Sequence, residues 1–247
     1  MKNRPPLSPL ILLVFISLQG HALVVSDSTP PGLQAADTVK KGWKGASYVL
    51  PAALLTYGWL KPVAPGIERL DDRIHERIQE RHPGFSTQLD SYLQWAPSAS
   101  IYAMDLAGVK TRHGFRDHLL IDAGSILVAG GLGYAMRRIG RNFDVYNNGD
   151  SEFPSGHATN AFRGAEIVRQ ELRHSHPVWS YSGYVMASAV GVLRLYNGQH
   201  YLTDVIAGAG LGILSTKLTY WMHGRWKRHR MRKTPSVMAS EIIPAAR

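Results

Sequence analysis

Three long apolar stretches, 118–136, 178–196 and 203–222, limit what this chain can fold into. Each comes close to the run of about 20 apolar residues that one bilayer crossing needs, and none is a clean example. The first contains Asp122 and several glycines. In the last, Gly208 and Gly212 form a GxxxG pair, which lets two helices approach closely. Two readings follow: a tightly packed helical bundle in water, or a compact bundle of short membrane spans with Val205–Met222 as one of them. The residues after 222 favour the membrane. His223–Lys233 carries six Lys/Arg, with Trp221 and Trp226 at its start. Aromatics followed by a basic cluster fit an interfacial belt and a cytoplasmic helix end. The competing reading is a solvated basic tail over 223–247.

The remaining pattern is also helical, and the expected fold is all-α, a bundle of five or six helices around one site. Residues 46–60 are apolar with an internal proline, and 97–109 and 157–173 read as further helices. Residues 67–82 are heavily charged, with Ile67, Leu70, Ile74 and Ile78 at helical spacing, the pattern of an amphipathic surface helix. The helical domain is expected over 46–222, with no repeat and no second domain. Ahead of it, 26–42 is polar and Pro/Gly-rich, a lead-in or linker that ends by residue 45. Residues 1–25 join Lys2 and Arg4 to an apolar centre, Leu10–Ile16, and to small residues at Gly20-His21-Ala22. That is the pattern of an export signal, with an uncleaved anchor as the alternative.

Charge narrows the partners. With 28 Lys+Arg against 18 Asp+Glu, the 247-residue chain carries a formal charge of +10. It should prefer anionic surfaces or phosphorylated substrates, and no nucleic-acid motif is present. The absence of cysteine excludes disulfides, thiol catalysis and cysteine metal sites.

Chemistry concentrates in two short segments. His200 and Asp204 are four residues apart, so on a helix they share a face. A carboxylate there can accept the imidazole Nδ1 proton and leave Nε2 with a lone pair toward a substrate. Asn197-Gly198 marks a turn before them, so Arg194 ends one helix as His200 opens the next. Arginine brings planar, permanently charged donors suited to phosphate oxygens. The second segment, Pro154-Ser155-Gly156-His157, leads into a helix. Ser155 and the amides of Gly156 and His157 at a helix N-terminus make an anion site. His157 is placed to protonate a leaving oxygen.

Together these residues resemble the phosphatidic acid phosphatase type 2 / vanadium haloperoxidase superfamily, over about residues 46–222. Pro154–His157 matches its P-S-G-H motif, and Arg194, His200 and Asp204 match its R-x5-H-x3-D motif. Leu193 stands where the family keeps a small residue. The likeness is strongest to a bacterial branch of exported or membrane phosphatases that includes lipid A phosphatases. It implies hydrolysis of a phosphomonoester with no metal and no cofactor. His200 would form a phosphohistidine, Asp204 would orient it, and His157 would act as acid and then base. Arg194, Ser155, Gly156 and Arg137 would hold the phosphoryl oxygens. The expected substrate is a lipid phosphate, and the expected location is a bacterial inner membrane with a periplasm-facing site. The alternatives are a soluble periplasmic acid phosphatase and a catalytically degraded phospholipid-binding homologue. The family's K-x6-R-P motif is altered: Arg137 holds the lysine position, and Asp144-Val145 the arginine-proline positions. Like charges about 4 Å apart cost on the order of 4 kcal/mol at an effective dielectric of about 20. Asp144 should therefore weaken phosphate binding unless Arg141 or Arg138 swings in, or the 142–150 loop turns Asp144 away.

Overall fold

The computed structural model describes residues 46–142 and 153–233, except the side chains of 141, 142 and 231–233. The 1–25 signal, the linker, Asp144, Val145 and the Arg141 side chain lie outside the described residues. The described chain is all-α, with eight α-helices, two single 3-10 turns and no strand. In chain order the helices are α1 Ala46–Trp59, α2 Pro65–Arg81, α3 Leu89–Leu93, α4 Ala96–Leu106, α5 Phe115–Asn142, α6 Gly156–Leu172, α7 Ser182–Tyr196 and α8 Leu202–Lys233.

Two helices organise the bundle. α8 packs against α6, α1 and α5, and α6 packs also against α7 and α4. The glycine pair explains the first contact. A Cβ on Gly208 would lie 2.6 Å from the Ser155 carbonyl oxygen. One on Gly212 would lie 2.8 Å from the Arg163 amide and closer still to the Thr159 carbonyl. Gly210, between them, faces the other way, where a Cβ would lie 2.7 Å from the Pro51 carbonyl of α1. The expected GxxxG pair thus brings α6 and α8 together backbone to backbone.

α6 is buried on nearly every side, with Arg163–Val168 buried without a break. Its charges need partners there, because an unpaired buried charge is costly. Arg163 pairs with Asp122 of α5, and reaches Ser125 Oγ at 2.9 Å and Ser98 Oγ at 3.3 Å. Glu166 accepts from Tyr184 and Gln170, and lies 2.8 Å from Lys217 Nζ. Glu171 accepts from the His113 amide at 2.9 Å and the Tyr220 hydroxyl at 2.5 Å. The Asp122 that interrupts the first apolar stretch is therefore the counterion of the central helix.

Three features depart from the sequence expectation. First, α2 only half-buries its apolar stripe at Ile67, Ile74 and Ile78. Leu70 is 40% exposed, and the buried residue of this helix is Asp71. Second, the basic cluster is no separate tail, since α8 continues through it to Lys233. Third, among the described residues only Phe115–Gly140 is long and apolar enough to cross a membrane. The 178–196 stretch is broken by the 3-10 turn Trp179–Tyr181, which leaves α7 with 15 residues.

The close approach of α6 and α8 predicts a contrast between glycines. Gly212→Ala should destabilise by about 1–3 kcal/mol, because the methyl overpacks a backbone contact. Gly130→Ala, with nothing within 4 Å of the new Cβ, should instead stabilise α5 by about 0.5–1 kcal/mol. Thermal unfolding of the two variants checks this, and equal melting temperatures would contradict the packing described.

Candidate active site

The two motif segments meet because α6 and α8 start side by side. The Ser155 amide donates to the Asp204 carbonyl at 3.1 Å. Ser155 is fully buried as the N-cap of α6, and its hydroxyl accepts from the Ala158 amide at 3.5 Å. The amides of Gly156 and His157 sit in the first turn of α6, where no intrahelical acceptor exists. With the helix dipole, they present positive potential to the mouth of the site.

α7 ends in a Schellman motif. The Gln199 amide donates to the Arg194 carbonyl at 3.3 Å, and the Gly198 amide to the Leu195 carbonyl at 3.0 Å. Gly198 takes φ +67°, which glycine adopts without strain. The Asn197-Gly198 turn read from sequence is therefore a helix C-cap, and it brings Arg194 and His200 to the same end of the bundle.

His200 does not open α8. The helix starts at Leu202, so His200 precedes it by two residues. Its Nδ1 lies 3.6 Å from Asp204 Oδ2, an ion-pair distance rather than a hydrogen bond. The physical reason is that Asp204 caps its own helix: Oδ2 accepts from the Tyr201 amide at 2.9 Å, the carboxylate half of a capping box. Both side chains are buried. Among the described residues, His200 Nδ1, Asp204 Oδ1 and Arg194 Nε have no hydrogen-bond partner. Three such atoms at one site mark polar capacity that the protein itself does not consume.

The short helix α3 was not legible from sequence, and it contacts both remaining residues. Asp90, 1% exposed, accepts from Arg194 Nη1 at 2.8 Å. Ser91 Oγ lies 3.3 Å from His157 Nε2. α3 is tied on two sides. Thr87 and Asn197 exchange bonds of 2.9 and 3.0 Å, and Asn160 of α6 donates to Gln94 at 3.0 Å. Burial, together with the Arg194 charge and His200, holds the His157 imidazole below its usual value, and Asp90 opposes them. His157 is therefore biased toward the neutral form, and an anion bound beside it would restore the proton.

Arg137 stands apart from this group. It lies half-buried near the end of α5, with its guanidinium beside Gly133 of the same helix. Among the described residues no hydrogen bond or ion pair joins it to His157, Arg194 or His200. Nor do the described residues contain a cluster of His, Asp and Glu that could hold a metal ion.

Arg194, His200 and Asp204 are buried and His157 half-buried where α6 and α8 begin, an arrangement suited to holding an anion. Comparison with known proteins gives it a lineage. Residues 116–228 match the PAP2 superfamily model. Lipid A 1-phosphatase of Porphyromonas gingivalis is 28% identical over 204 residues, 80% of this chain and 43% of that protein. Phosphatidylglycerophosphatase B of Bacillus subtilis is 34% identical over 88 residues, 32% of this chain and 43% of that protein. The matched residues thus span less than half the length of either relative. A crystal structure of a transmembrane PAP2-type phosphatidylglycerolphosphate phosphatase from Bacillus subtilis is similar at 22% identity and a TM-score of 0.46. That match covers 72% of this chain and 98% of the other.

The Asp90–Arg194 pair predicts a double-mutant cycle. Asp90→Ala leaves a buried guanidinium without its counterion and should cost about 3–5 kcal/mol in denaturant unfolding. The Asp90→Ala, Arg194→Ala double variant should recover part of that loss, because the stranded charge is gone. Simple additivity would show that the two side chains do not interact.

Proposed function

We propose that this protein is a metal-independent phosphatase that cleaves a phosphomonoester of a lipid, with His200 as the nucleophile. The observation that carries the reading is the convergence just described. Arg194 with an unsatisfied buried Nε, His157, and the His200–Asp204 pair stand at the N-terminus of α6. Phosphoryl transfer asks a protein mainly for positioning and charge stabilisation. Arg194 and the first-turn amides of α6 supply both. His200 Nε2 attacks phosphorus, and the P–O bond to the leaving alcohol breaks. His157, protonated beside the bound dianion, donates its proton to that oxygen. It then takes a proton from the water that cleaves the phosphohistidine. Asp204 balances the imidazolium charge as the P–N bond forms, and closing the 3.6 Å gap to His200 would strengthen that support.

The lipid assignment rests on α5 and on the names of the relatives. Within residues 115–140 the most apolar 18-residue window has a mean hydropathy of 1.6 and is only 22% buried. A core helix of a water-soluble bundle would be mostly covered; here Leu127 is 76% exposed and Tyr134 67%. At about 1.5 Å per residue the segment reaches across a hydrocarbon layer of about 30 Å. The relatives named above are a lipid A 1-phosphatase and a phosphatidylglycerophosphatase. We place the protein in a bacterial membrane with the site facing the periplasm. The basic end of α8, where Arg225 lies over Trp221 and Arg230 over Trp226, belongs at the cytoplasmic interface.

Phosphate release from phosphatidic acid, phosphatidylglycerophosphate and lipid A, measured with purified protein in chelator, tests the reading. Release should survive chelation and vanish in His200→Ala. His157→Ala should lose least with substrates whose leaving groups need no protonation. Loss of activity on chelation, restored by zinc or magnesium, would overturn the mechanism. Release from soluble phosphomonoesters alone would favour a periplasmic acid phosphatase.

A further inference from the structure

One stripe of α2 grips the turn that carries the reacting groups. Asp71 accepts from the Thr203 amide at 3.1 Å and from the Thr203 hydroxyl at 2.6 Å. His75 stacks on Tyr201 with ring centroids 4.7 Å apart. Gln79 donates to the Leu195 carbonyl at 3.3 Å, and His82 packs on Tyr196 at 5.1 Å. Residues 71, 75 and 79 share one face of α2, and His82 follows as its C-cap. The turn they hold, 195–203, has Arg194 at one end and Asp204 at the other.

Asp71 is the strongest of these contacts. α8 begins after Tyr201, whose side chain provides no short capping oxygen, so the second amide of the helix needs an acceptor from elsewhere. Asp71 supplies it from 132 residues earlier in the chain. Its burial is nearly complete, at 1% exposure, and Lys61 Nζ balances its charge at 2.9 Å. The same ammonium lies 3.4 Å above the Tyr201 ring, so Lys61, Asp71 and Tyr201 form one closed cluster beside His200.

We propose that Asp71 is a positioning residue for His200 and Asp204: by capping α8 at Thr203 it sets the height and orientation of the segment that carries both. The proposal rests on the phosphatase reading for its kinetic consequence, while its structural consequence is independent of it. A cap that served stability alone would lower the melting temperature and leave turnover by the folded protein unchanged. A positioning residue changes turnover at temperatures where the protein is fully folded.

The test uses the full chain in detergent micelles, with Asp71→Ala, Asp71→Asn and Thr203→Val. Two quantities are read well below the melting range: kcat and KM for phosphate release from phosphatidic acid, and the rate of His200 carbethoxylation by diethyl pyrocarbonate, followed by mass spectrometry. Asp71→Ala should lower kcat by about 100-fold with little change in KM, the cost of an ångström-scale misplacement. It should also speed modification of His200, which is 5% exposed in the intact protein. Asp71→Asn keeps an acceptor for the Thr203 amide and should recover part of both effects. If Asp71→Ala does not fold, Thr203→Val, which removes the hydroxyl bond alone, should show the same changes to a smaller degree. A folded variant with wild-type kcat and wild-type modification of His200 overturns the proposal. If the unmodified protein releases no phosphate from any substrate, the phosphatase reading falls. Faster His200 modification in Asp71→Ala would still uphold the positioning role, and an unchanged rate would refute it.

Discussion

The contact between α6 and α8 is the constraint on which the rest of the molecule depends. Two glycines one turn apart, Gly208 and Gly212, let α8 lie directly on the backbone of α6. No larger residue fits there, since a Cβ at either position would collide with main-chain atoms that cannot withdraw. The helix starts are thereby brought level, and the Ser155 amide bonds to the Asp204 carbonyl. A helix N-terminus with a histidine in its first turn then faces a second histidine and its carboxylate. The same closeness explains the polar interior. Arg163, Glu166 and Glu171 of α6 are buried, and each finds a protein partner on a neighbouring helix.

The site is assembled from short-range and long-range pieces that differ in kind. Ser155 capping α6, Gly198 ending α7 and Asp204 capping α8 are local devices, each explained by residues within a few positions. The long-range pieces are two carboxylates from the N-terminal half. Asp90 holds Arg194, and Asp71 holds Thr203. Both are buried, and each meets a cation within 3 Å. The motif residues are thus set from outside by helices that carry no motif. Such supporting contacts are what keep reacting groups within the tolerance that chemistry requires.

That division also separates what the sequence discloses from what it hides. The all-α class, the GxxxG contact, the Asn197-Gly198 turn and the helix start at Ser155-Gly156 were legible, because each depends on residue type and local spacing. The helical register of His200 was misread. Spacing alone places His200 and Asp204 on one face, but Asp204 is drawn to the Tyr201 amide, and the helix begins only at Leu202. Asp90 and Asp71 were not legible. A lone aspartate in Gln88-Leu89-Asp90-Ser91, or among the many charges of 67–82, looks like any surface carboxylate until its distant partner is known. For α2 the apolar stripe marks only part of the inward side. What holds this helix in place is a row of polar and aromatic contacts to a turn more than 110 residues away.

The central claim is that His200 becomes covalently phosphorylated during turnover. Trapping tests it most directly. The protein is mixed for a short time with phosphatidic acid labelled in its phosphate, quenched in alkali, digested and sequenced by mass spectrometry. His157→Ala, which is slow to activate the hydrolytic water, should accumulate the intermediate. The account predicts an acid-labile phosphoryl group on His200 that is absent from His200→Ala. Phosphate release from the lipid with no label on His200, or with label on another residue, would contradict it.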